Sequence, residues 1–140
     1  MKALFQKFFY FYTMEDLKDS YFGNTEKRST FFYIAILLML ASCLLSVNTD
    51  LAEHAQHKML NIPQWFFTLI FSIDVLMIAA IVAIYFYRKI GVYLLPVLIL
   101  VHFMLHNYYL STMLYSDLNA LFMYSSAGLF AVIPRWPYFK

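Results

Sequence analysis

His102 and His106 stand four residues apart in LVHFMLHNYYL, residues 100–110, a stretch otherwise made almost entirely of apolar and aromatic side chains. On an α-helix that spacing puts both imidazoles on one face. A charged group in hydrocarbon costs roughly 2.5 kcal/mol or more, so imidazoles in such a stretch need partners. With Asp74 they make a two-histidine, one-carboxylate set of the kind that ligates divalent transition metals. They could equally relay protons, because an imidazole titrates near neutrality. Haem ligation is awkward: histidines on one turn of one helix reach an iron from the same side, so a partner's histidine would have to complete the pair. The helix reads HFMLH and lacks the glutamate with which HExxH metalloproteases activate water. The remaining alternative is a polar clamp that fixes helix register, and this is the reading we expect, with no cofactor and no catalytic residue.

A second group lies in NTDLAEHAQHKMLNIP, residues 48–63. Asp50 followed by Glu53 fits a capping box, which predicts a short helix over 51–60 in a loop. Asp50, Glu53, His54 and His57 then share one face that could present a carboxylate and two imidazoles to a divalent metal, with Glu53, His54 and His57 as the candidate ligands. Capping and a solvated polar face explain the same residues without a metal. Cys43 is the single cysteine, so neither an intrachain disulfide nor a CxxC redox pair can form within the chain.

The elements that must position these residues are set by composition. Of the 140 residues 63% are hydrophobic and 13% charged, which points to a membrane protein. Apolar runs over 30–47, 62–87, 91–115 and 118–133 each approach the roughly 17 to 25 residues a spanning helix needs. The expected fold is therefore an all-α integral membrane protein with four transmembrane helices in an antiparallel bundle. LASC, residues 40–43, resembles the pattern before a lipidated cysteine, but a mixed-charge stretch far longer than a signal peptide's basic region precedes it. Ser42 with Ser46, Ala79 with Ala83, and Ala127 with Ala131 read instead as small-xxx-small packing stripes.

Nine of the ten Lys and Arg residues fall before the first run, between the second and third, or after the fourth; only Lys58 falls elsewhere. The positive-inside rule then puts both termini in the cytoplasm. Trp65 and Trp136 anchor opposite membrane faces. Counted by depth at about 1.5 Å per residue, Asp74 on the second span matches His106 on the third. The expected intramembrane polar layer is Asp74, His102, His106, Ser125 and Ser126, with Asp74 nearer His106.

Residues 1–29 form a separate cytoplasmic segment, and 30–140 the transmembrane domain. Leu4, Phe5, Phe8, Phe9 and Tyr12 recur at helical spacing, which predicts an amphipathic helix lying on the membrane surface. No nucleotide-binding loop, hydrolase elbow or nucleic-acid-binding stripe is present. The expected role is a non-catalytic accessory subunit of a larger membrane complex in a bacterial inner membrane, with lipid and other integral subunits as partners. The alternatives are a redox or proton-handling anchor using the His102, His106 and Asp74 group, or a stand-alone binding or immunity protein.

Overall fold

The computed structural model describes residues 28–59, 61–110 and 115–140. The expected surface helix falls within 1–27 and so lies outside the described residues. Those described are helical apart from short turns and connectors and include no strand; four helices are long and apolar enough to cross a membrane. They are α1 (Thr30–Ala55), α2 (Gln64–Tyr85), α3 (Lys89–Leu110) and a compound fourth span, Tyr115–Tyr138. The fourth comprises α4 (Tyr115–Met123), a π-helical stretch (Tyr124–Gly128), α5 (Leu129–Val132) and a 3-10 turn (Ile133–Tyr138).

Each helix buries one stripe and shows the rest of its surface outward, as an apolar solvent requires. On α1 the buried positions are Phe32, Ala35, Met39, Ser42, Cys43, Ser46 and Asp50, a spacing of three and four. Leu37, Leu44, Leu45 and Leu51 on its other faces are more than half exposed. α1 packs against α2 and α4, and α3 packs against α2 and α4. The core changes character along its length. At the Tyr87 end it is apolar, built on Phe32, Ala35, Met77, Ala80, Ile84 and Leu95. Toward Ala55 it turns polar, and a second apolar group, Ile62, Phe66, Phe67 and Ile70, lies by the start of α2.

Two boundaries differ from expectation. α1 does not stop at 47 to let a loop helix begin at 51; it runs unbroken to Ala55, and Asp50, expected as a helix cap in a loop, is completely buried. The polar residues Asn48, Thr49 and Asp50 interrupt the hydropathy but not the helix, and the Thr49 hydroxyl bonds back to the Leu45 carbonyl. Tyr115, expected to end the third span, opens the fourth. The fourth span, expected to end at 133, continues through a 3-10 turn, Ile133–Tyr138, with Pro134 in its first positions.

Local chemistry explains the close packing. Pro63 precedes α2 and Ser29 caps α1 by accepting the Phe32 N–H. Pro96 lies inside α3 and has no N–H to give the Val92 carbonyl one turn earlier. The Tyr124 hydroxyl donates to that carbonyl instead, from the start of the π-helical stretch. Gly91 lets α3 approach α2: a Cβ there would lie 2.4 Å from the Ala80 carbonyl oxygen and 2.9 Å from the Ala83 Cβ. Ala83 thus serves the expected close contact, whereas Ala79 is exposed and Ala80 is the buried residue. Tyr87 ends α2 at φ 58°, with Arg88 N–H returning to the Ala83 carbonyl. Its ring stacks on Phe32 at 5.2 Å, and burial pushes its phenol above the ordinary value while Arg28 and Arg135 oppose the shift.

Candidate metal centre

The polar end of the core gathers seven side chains from all four spans. α1 brings Ser46, Asp50 and Glu53, α2 brings Asp74, α3 brings His102 and His106, and α4 brings Asp117. Asp50, His102 and His106 are wholly buried, and Asp74 and Asp117 nearly so. The layer lies one to three helical turns from the Ala55 end of α1 and the Gln64 end of α2.

His102 faces a carboxylate on each edge. Its Nδ1 lies 2.9 and 3.0 Å from the two oxygens of Asp117, and the Ser46 hydroxyl donates to the same carboxylate at 2.8 Å. An ionised carboxylate only accepts, so the Nδ1 edge carries the proton. Its Nε2 sits in hydrogen-bond geometry 3.1 Å from Asp50 Oδ2 and lies 3.5 Å from Asp74 Oδ1; the doubly protonated ring donates on both edges, and the neutral ring, with its proton on Nδ1, turns an Nε2 lone pair to this side. His106 repeats the pattern. Its Nδ1 donates to the His102 carbonyl at 3.1 Å, leaving Nε2 2.9 Å from Asp50 Oδ1 and 3.3 Å from Glu53 Oε2.

Two features distinguish this from a hydrogen-bonded clamp. First, His106 Nε2, Asp50 Oδ1, Glu53 Oε2 and both Asp74 oxygens are buried without a hydrogen-bond partner among the described residues. The 2.9 Å contact of His106 with Asp50 is close but misaligned for N–H···O. Two ligands of one tetrahedral ion stand this way, about 3.3 Å apart for bonds near 2.0 Å, each off the other's axis. Second, Asp50, Glu53, Asp74 and Asp117 are four carboxylates against two imidazoles. Such a set is costly in a low-dielectric layer unless protons or a cation balance it, and a divalent cation does so with the fewest unpaired charges.

Asp50, His102 and His106 can each offer a ligand atom within 4.8 Å of the others. Asp74 supplies two more unpartnered oxygens on the α2 side. A carboxylate behind His102 and a backbone carbonyl behind His106 turn both Nε2 atoms inward, as the partners of histidine ligands do at metal sites. Imidazole nitrogen with carboxylate oxygen suits zinc, ferrous iron and their neighbours better than calcium, which takes oxygen alone. The two rings lie side by side, 4.4 Å between centroids, on one helix face, so they cannot clamp a haem iron from opposite sides.

Of the expected layer, Asp74, His102 and His106 do come together. Asp74 stands at His102, however, not at His106: the third span was counted from Tyr115, which belongs to α4, and the excess residues slid His106 to the wrong depth. Ser125 and Ser126 are elsewhere, their hydroxyls bonded to the Leu121 and Phe122 carbonyls of their own helix. Glu53 turns toward His106, away from His54 and His57, whose rings stack on each other at 5.3 Å beside Phe67. The three therefore do not share a site. Sequence reasoning grouped Asp50 with His54 and His57 in a loop, whereas it stands at His102 and His106, and it missed Asp117, passed over as a connector. The series Ser42, Ser46, Asp50, Glu53 at helical spacing was the available signal.

No protein-family model matches the chain, and no curated protein or solved structure is similar to it.

Proposed function

We propose that this chain is an integral membrane protein that holds a divalent transition-metal ion within the bilayer, with Asp50, His102 and His106 as ligands and Asp74 as a fourth. The observation that carries the reading is the convergence of two imidazole Nε2 atoms, each ring anchored by a bond at its own Nδ1, on buried carboxylate oxygens. A dication balances Asp50 and Asp74, Asp117 receives donors from His102 and Ser46, and Glu53 reaches the edge.

The charge distribution supports both termini in the cytoplasm, which puts the metal layer in the outer half of an antiparallel bundle. Beyond the four spans and their connectors the described residues hold no unit that could act on a soluble substrate. We therefore read the chain as non-catalytic by itself, an accessory subunit that presents its ion to other membrane subunits, in a bacterial inner membrane. Titrating the metal-free protein in detergent with Co2+ tests the centre. The expected result is a saturable visible d–d spectrum that is absent in His102→Gln and His106→Gln; no spectrum in the folded wild-type protein would return the layer to a polar clamp.

A further inference from the structure

Every polar group of the centre but one is sealed. Asp50, His102 and His106 are wholly buried and Asp74 is 3% exposed, whereas the Glu53 side chain is 20% exposed. Glu53 follows Asp50 by three residues on α1, so it stands one turn nearer the helix end on the same face. Its Oε2 is nonetheless buried, unpartnered among the described residues, and 3.3 Å from His106 Nε2. One carboxylate thus touches both the centre and the exterior.

The other directions are packed shut. Toward the Tyr87 end lie Met39, Cys43, Met77, Ile81, Leu95 and Ile99, all buried. The polar groups on that side are bonded within the fold: the buried Ser42 hydroxyl donates to the Leu38 carbonyl and accepts from Asn119, the Tyr124 hydroxyl donates to the Val92 carbonyl, and Arg135 donates to the Ala131 carbonyl. At the Gln64 end the Phe66 ring stands 5.9 Å from the His106 ring and packs on Phe67 and Tyr109. His54 and His57 do not open a second polar route there, since they stack together against Phe67.

We propose that Glu53 is the exchange ligand of the centre: the ion is captured and released through its carboxylate, toward the Ala55 end of the bundle and not toward the Tyr87 end. This rests on the metal-centre reading and adds that the site is open to one face only, as a holder or sensor of ions from that side and not as a pathway across. Glu53 trades places with water on the ion as it moves between His106 and the exterior. The two histidines stay in place throughout, because the bonds at their Nδ1 atoms hold them.

The test is release kinetics of Zn2+ from the full-length protein, with a chelator and a zinc indicator, for wild type, Glu53→Gln and Glu53→Asp. Glu53→Gln should still hold about one Zn2+ per chain at saturation but release and take it up about tenfold more slowly, with Glu53→Asp in between. In proteoliposomes of known orientation, the ion should leave only to chelator on the Ala55 side. Unchanged rates in Glu53→Gln, or loss of the ion at saturation, would overturn the exchange role and leave the centre standing. Release to the Tyr87 side would overturn the one-sided access. A wild-type protein that retains no Zn2+ would overturn the centre and the exchange role together.

Discussion

Asp117 holds the Nδ1 edge of His102 with both of its carboxylate oxygens, 2.9 and 3.0 Å away, although the two residues lie on different helices. That relationship decides which nitrogen of His102 faces Asp50 and Asp74. It also separates Asp117, which orients a ligand, from Asp50, which is one.

Asp117→Asn follows from this. An amide can offer its NH2 to Nδ1 and so invite the proton to Nε2, the ligand position. We expect metal affinity to fall by about 10- to 100-fold while the stoichiometry at saturation is unchanged. Isothermal titration with Zn2+ checks it, and an unchanged affinity would mean that His102 is oriented by packing alone.

Tyr124→Phe removes the donor that serves the Val92 carbonyl in place of Pro96. Leaving that buried carbonyl bare should cost about 1 to 3 kcal/mol. Pro96→Ala restores an N–H to the same carbonyl, so in that background the Tyr124→Phe cost should largely vanish. Thermal unfolding of the four proteins in detergent measures the coupling; strict additivity would show that the hydroxyl has another role.

Gly91→Ala should destabilise the α2 and α3 contact by about 1 to 3 kcal/mol through overpacking. The new Cβ would meet backbone, the Ala80 oxygen at 2.4 Å, which cannot step aside. Gly128→Ala is the control, because its Cβ meets the mobile Met39 sulfur at 2.8 Å. The two should rank in that order in unfolding temperature.

Ala55→Cys in a Cys43→Ser background tests the orientation, since Cys43 is the only native cysteine. A membrane-impermeant maleimide should label residue 55 from outside intact cells. Labelling only after the cytoplasm is opened would invert the topology and place the metal layer in the inner half.

The four spans were legible because apolar periodicity survives in any membrane helix, and the Asp74, His102 and His106 group was legible because ionisable residues stand out there. Asp50 was not. Read locally, NTDLAE is a helix start, and only the tertiary partners His102 and His106 make continuing the helix worthwhile for a buried aspartate. Ser125 and Ser126 failed for the opposite reason: a serine can satisfy itself on its own helix, so its presence at a depth says little about what it faces. Asp117 illustrates a third limit, because an acid in the short gap between two apolar runs reads as a connector until the fold shows what lies across from it.

The central claim is that the polar layer is completed by a metal ion. The most direct measurement is the metal content of the purified full-length protein after dialysis against Zn2+ and then metal-free buffer, beside Asp50→Asn, His102→Gln and His106→Gln proteins shown to be helical by circular dichroism. The account predicts about one tightly held Zn2+ per wild-type chain and little or none in each variant, as for a site that has lost one of its ligands. A helical wild-type protein with no more zinc than its variants would contradict it.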